Sequence, residues 1–64
     1  MANRVKERRQ ELGKTQDWLA DKAGVSRQTI FDIEHERYKP RAEVALKISS
    51  ALGRLCEELF SPEM

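Results

Sequence analysis

The chain is expected to fold as an all-α domain of five short helices, and three observations predict this. Apolar residues recur three and four apart, and no segment alternates with the period of two that a half-buried strand needs. Gly13, Gly24 and Gly53 each close an apolar-periodic run, where a helix C-terminus favours a residue tolerant of positive φ. Thr15 and Ser26 stand just beyond the first two of these glycines, where helix N-caps belong.

The elements follow in order. The first helix is predicted over about 3–12, with Val5 and Leu12 facing inward. The second runs over about 16–23 behind Thr15, and Leu19, Ala20 and Ala23 share one face. The third covers about 27–35 behind Ser26, with Ile30 and Ile33 on one face. The fourth follows Pro40, over about 41–52. Its inner stripe is Val44, Ile48, Ala51 and Leu52, with Leu46 near the edge. The fifth spans about 55–60 and stops before Ser61-Pro62; Leu59 and Phe60 close the core.

Composition narrows the function. Residues 1–64 make one small domain. A chain this short buries only about 60% of its unfolded surface, which favours self-association. Cys56 is the sole cysteine, so no intrachain disulfide forms. One His and one Cys, His35 and Cys56, fall short of the four ligands of a structural zinc site, so no metal is expected. There is no nucleophile–base pair and no glycine-rich phosphate loop, so neither enzyme activity nor a cofactor is expected. No apolar run reaches membrane-spanning length, and the N-terminus lacks an apolar signal core. These features point to a soluble, cytoplasmic protein with no membrane partner. The net charge is only +1, but residues 1–41 hold ten Lys/Arg against seven Asp/Glu, while 42–64 hold two against four. The N-terminal part is therefore the half suited to meet an anion, with ordinary solvated surface as the plainer reading.

Only Gly24-Val25-Ser26 joins the second and third helices. Ala20 is small where the two would cross, Gly24 permits the turn, and Val25 can plug the space beneath it. This is the pattern of a helix-turn-helix, which leaves the N-terminus of the third helix exposed for a major groove. The ordered set TQDWLA, GVSRQTIFDIE, YKP, ALKI and EELF, spread over residues 15–60, resembles the Cro/repressor-type (XRE) helix-turn-helix regulators, especially compact stand-alone members. The resemblance implies a lambda-repressor-like fold and double-stranded DNA as partner.

It also implies roles for particular residues. Arg27, Gln28 and Asp32 become the candidate base readers. Their chemistry agrees: Arg fits guanine O6/N7, Gln fits adenine N6/N7, and Asp accepts from cytosine N4. Asp32 has a rival role, pairing with Arg27 or Gln28 to orient it. Thr29 suits a phosphate or a thymine methyl. Gln16 matches the family's phosphate-contacting glutamine, at a helix N-terminus that favours an anion. Ser26 suits both the cap of the third helix and the DNA backbone. Tyr38 and Lys39 should lie beside that backbone, with Arg37 and Arg41 nearby; a basic surface loop is the alternative. Phe31 either presses on a thymine methyl or packs against the loop 37–40. Arg9 and Glu34 match positions that form an ion pair between the first and third helices.

Several positions depart from the family. Glu36 stands where Gly is usual, so either it takes a strained positive φ, on the order of 1 kcal/mol, or the third helix runs longer. Arg41 replaces a capping Ser. Lys14 takes an apolar position while Trp18 takes a polar one, so Trp18 is expected to cover the core edge that Lys14 leaves, or else to serve a protein partner. Arg8 is expected to widen the basic face of the first helix. Cys56 is expected to pack in the core, and His35 to sit on the surface at the end of the third helix.

The expected function is a sequence-specific transcriptional regulator, with repression as its output, bound to a pseudopalindromic operator as a homodimer. Leu55, Leu59 and Phe60 are the candidate dimer contacts, and some of them must instead serve the core of the chain itself. Two other readings stay open: an antitoxin that represses its own operon, and an interaction module that kept the fold but lost DNA. A further protein partner is compatible with any of them.

Overall fold

The computed structural model describes residues 3–60. Ser61-Pro62, the expected stop of the last helix, lie outside the described residues. Five helices follow one another: α1 (Val5–Glu11), α2 (Gln16–Ala23), α3 (Arg27–Glu34), α4 (Ala42–Leu52) and α5 (Cys56–Phe60). Among the described residues there is no strand, and no helix is long and apolar enough to cross a membrane.

The apolar periodicity becomes the packing. Val5, Leu19, Ile30, Ile33, Ile48 and Leu52 are fully buried, with Ala20, Ala23 and Leu59 beside them. α2 packs against both α3 and α4, α1 touches both of these as well, and α5 lies on α4. Each buried Leu or Ile side chain contributes roughly 1.5–3 kcal/mol by leaving water, so these few residues supply most of the drive to fold.

Capping follows the sequence where the right side chain is present. Thr15 Oγ1 accepts the Trp18 N–H at 3.0 Å, and Ser26 Oγ accepts the Thr29 N–H at 3.1 Å. Arg41 occupies the cap position of α4 without a side-chain hydrogen bond to it. Glu36 takes the strained alternative: its φ is +59°, and α3 ends at Glu34 with His35 as its C-cap.

Four expectations need correction. α1 is shorter than the predicted 3–12, because Asn3 is tied across the molecule. Its Nδ2 donates to the Ile33 carbonyl at 2.8 Å, and its Oδ1 accepts the Val5 N–H at 3.1 Å. The neighbouring Arg4 N–H donates to the Leu59 carbonyl at 2.9 Å. Leu12, expected inside, is an exposed C-cap.

Arg8 does not simply widen a basic face. It is half-buried, and its Nε donates to the Leu52 carbonyl at 2.9 Å, where the free carbonyls of a helix end attract a cation. Leu59, read both as a core residue and as a dimer candidate, is only 2% exposed, so it belongs to the core and drops out as a dimer contact. Leu55 stands just ahead of α5 and is 63% exposed; its N–H donates to Glu58 Oε1 at 3.0 Å, so a following Glu serves the start of α5. Phe60 is half-buried against the core.

Trp18 is half-buried on the core edge, with the Lys14 and Lys22 ammonium groups 5.2 and 5.9 Å from its ring centroid. Cys56 is half-buried, with Sγ 2.7 Å from Ser49 Oγ.

Candidate nucleic-acid interface

α2 and α3 form the candidate site, and the turn between them sets their angle. Gly24 caps α2 in the left-handed region at φ +72°. The Val25 N–H then donates to the Ala20 carbonyl at 3.0 Å, closing the end of the helix. Ser26 is extended and starts α3 at once. Ala20 is buried at the crossing, as its small size allows.

The inner face of α3 is held in two ways. Ile30 and Ile33 are fully buried. Glu34, whose side chain is 0% exposed, accepts three hydrogen bonds: from Arg9 Nε at 2.7 Å, Arg9 Nη2 at 3.2 Å and Gln16 Nε2 at 3.1 Å. Arg9 Nη1 donates in turn to the Lys14 carbonyl at 2.8 Å. A buried charge is expensive unless it is paired and hydrogen-bonded, and both conditions hold here. Among the described residues, every fully buried side-chain nitrogen or oxygen has a hydrogen-bond partner. The cluster joins α1, α2 and α3, so α3 cannot roll without breaking it.

The outer face carries the sequence-predicted readers. Arg27 and Gln28 are exposed, and Thr29 and Asp32 are half-buried. Arg27 Nε lies 3.8 Å from Asp17 Oδ1, a loose contact between two well-exposed groups. The contact shows that the turn sets the first turns of α2 and α3 on one face. Gln28 Nε2 donates to Asp32 Oδ1 at 3.1 Å. Of the partners weighed for Asp32, Gln28 is therefore the one in contact. Ser26 Oγ and Thr29 Oγ1 are 2.9 Å apart, so both hydroxyls are partly engaged in starting the helix.

The candidate backbone contacts fall into two groups. Arg37, Tyr38, Lys39 and Arg41 are all exposed in the segment after α3. The positive φ of Glu36 turns the chain there, and the Arg37 N–H donates to the Asp32 carbonyl at 2.8 Å. Gln16 stands apart at the start of α2, half-buried, with its amide donating to Glu34 Oε1 at 3.1 Å. Phe31 packs toward its own end of the helix. The His35 ring stacks on it at 4.1 Å between centroids, and the Arg37 guanidinium lies 5.7 Å from its ring centroid.

Asp17 was not singled out by sequence, since ten positions separate it from Arg27 and only the turn brings them together. The Gln28–Asp32 contact did carry a signal, its spacing of four on one helix. No group of His, Cys, Asp and Glu among the described residues is arranged to hold a metal ion.

Comparison with known proteins agrees with this geometry. The helix-turn-helix family profile matches residues 5–59. An uncharacterized HTH-type transcriptional regulator of Methanothermobacter thermautotrophicus is 48% identical over 54 residues, covering 84% of this chain and 78% of that protein. The uncharacterized HTH-type transcriptional regulator YgzD of Bacillus subtilis is 42% identical over 60 residues, covering 94% of this chain and 91% of that protein. The immunity repressor protein of Bacillus phage phi105 is 40% identical over 53 residues, which is 83% of this chain and 37% of the phage protein. The capped, short-turned helix pair and these matches together show that the chain belongs to the XRE-type helix-turn-helix family of DNA-binding transcriptional regulators.

Proposed function

We propose that this regulator is a repressor that occupies a pseudopalindromic operator as a homodimer, with the first half of α3 in the major groove of each half-site. The observation that carries this reading is the division of α3. Ile30, Ile33 and Glu34 fix its inner side, while Arg27, Gln28, Thr29 and Asp32 stand on its accessible side. Base-edge readout needs such groups on a rigid support, because each good bidentate contact discriminates by only about 1–3 kcal/mol and is easily lost to misplacement.

Arg37, Tyr38, Lys39 and Arg41 suit the phosphate backbone beside that groove. Ser26 and Gln16 add groups at helix N-termini, where backbone N–H donors attract anions. Gln16 meets a phosphate with its remaining amide groups while Glu34 holds one of its hydrogens. Pairing of two copies is supported by the α4–α5 end, where Leu46 and Leu55 are 62% and 63% exposed. Repression is supported by the similarity to the phage immunity repressor and by simple occlusion of a promoter.

Selection of bound duplexes from a randomised pool tests the reading. It should yield two inverted half-sites whose centres lie one helical turn apart, about 34–36 Å. Placing that duplex over a reporter promoter should lower expression when the chain is produced. A pool with no enriched sequence, or raised expression, would contradict it.

A further inference from the structure

Asp32 is half-buried, its carbonyl accepts the Arg37 N–H at 2.8 Å, and its neighbour Ile33 is fully buried. Its backbone is thus held in place on the recognition face, and its short side chain keeps the carboxylate close to that point. Gln28 is exposed and one turn ahead of it, with Nε2 donating to Asp32 Oδ1 at 3.1 Å. A carboxylate only accepts hydrogen bonds, so the amide nitrogen and not the amide oxygen must face it. That settles which way round the Gln28 amide sits. One N–H is held by Asp32, and a second N–H and the carbonyl oxygen remain for a ligand.

We propose that Asp32 is a positioning residue that fixes the Gln28 amide as a reader of adenine, and does not itself contact a base. The proposal rests on the placement of α3 in the major groove given above. An adenine edge offers N7 as acceptor and N6–H as donor, which match one N–H and one carbonyl oxygen of an amide. A guanine edge offers two acceptors, O6 and N7. The amide oxygen would then face an acceptor, and rotation of the amide to avoid this would break the bond to Asp32. The Asp32 carboxylate also repels the electron-rich guanine edge. Arg27 has no such restraint, since its contact with Asp17 is long and exposed. It is free to leave Asp17 for the paired acceptors of a guanine.

The test uses the duplex enriched by the wild-type chain and its single-base-pair variants. Affinity for each would be measured for wild type, Gln28→Ala, Asp32→Ala, Asp32→Asn and the Gln28→Ala/Asp32→Ala double variant, with circular dichroism to confirm folding. Gln28→Ala should remove the preference for one A·T pair, about 5- to 150-fold. Asp32→Ala should weaken the preference at that same pair by roughly 2- to 10-fold, the cost of an unrestrained side chain. The double variant should match Gln28→Ala alone. Asp32→Asn keeps an acceptor and should recover part of the preference.

Loss of preference at a different pair, a C·G, in Asp32→Ala and additively in the double variant, would overturn the proposal and make Asp32 a base reader. An unchanged profile in Gln28→Ala would overturn the placement of Gln28 at a base, and the proposal with it.

Discussion

At the front of the molecule, α2 and α3 begin with the side-chain caps Thr15 and Ser26, and Arg9, Gln16 and Glu34 bind them from behind. At the back, Arg41 starts α4 without a cap, and Leu55 precedes α5 with most of its surface in water. Both ends share one core, so the contrast lies in how the surface elements are fixed. The front restrains the position of α3 through polar contacts that each demand a particular geometry. The back has directional contacts at its helix ends, from Arg8 to the Leu52 carbonyl and from the Leu55 N–H to Glu58, but it leaves the apolar Leu46 and Leu55 uncovered. A reader of base edges needs the first arrangement, and a surface that meets a second copy can be built from the second.

The contrast breaks most severely at the buried ion pair. Arg9→Met or Glu34→Leu alone should cost about 3–5 kcal/mol, since each leaves the other charge buried without its partner. That is comparable to the whole stability of a domain this small. The double variant should lose less than the sum of the two, in urea unfolding followed by circular dichroism. Additive losses would mean that the pair does not act as a unit.

The next effect separates the two leucines of the back end. Leu59→Ala should destabilise the chain by roughly 2–5 kcal/mol, as a large-to-small change in the core. Leu55→Glu should change folding stability by no more than about 0.5 kcal/mol. It should nevertheless shift sedimentation from dimer to monomer and lower affinity for a two-half-site duplex. A wild type that sediments as a monomer at micromolar concentration would confine pairing to the DNA.

Local features were the legible ones. Gly24 and Gly53 in the left-handed region and the caps at Thr15 and Ser26 depend on residues within one turn, so sequence placed the helix ends closely. The inner side of α3 followed from the same periodicity through Ile30 and Ile33, while the inward place of Glu34 and the base-reading roles of the outer side came from the family resemblance. The misreadings were non-local. Asn3 reaches Ile33, and Arg8 reaches Leu52, across separations that no spacing rule encodes. Leu59 and Leu55 are alike in composition, and only the docking of α5 on α4 buries one and leaves the other outside. The contact of Gln16 with Glu34 was equally out of reach of spacing, since its partner lies on another helix.

A smaller and opposite effect on stability sits between the two regions. Glu36 holds φ +59° without being glycine. Glu36→Gly should therefore raise stability by about 0.5 kcal/mol, which is the roughly 1–2 kcal/mol strain of a side chain in the left-handed region less the roughly 0.5–1 kcal/mol of extra entropy that glycine loses on folding. A thermal melt would show it as a rise in midpoint. A fall would mean that Glu36 makes compensating contacts.

The central claim is that the exposed side of α3 reads bases, and the direct measurement is affinity on two duplexes. One is the sequence enriched by the wild-type chain, and the other is the same composition scrambled. Arg27→Ala should lose about 1–3 kcal/mol on the enriched duplex while binding to the scrambled one changes much less. Equal losses on both duplexes would show that Arg27 meets only phosphate, and would contradict base reading by this face of the helix.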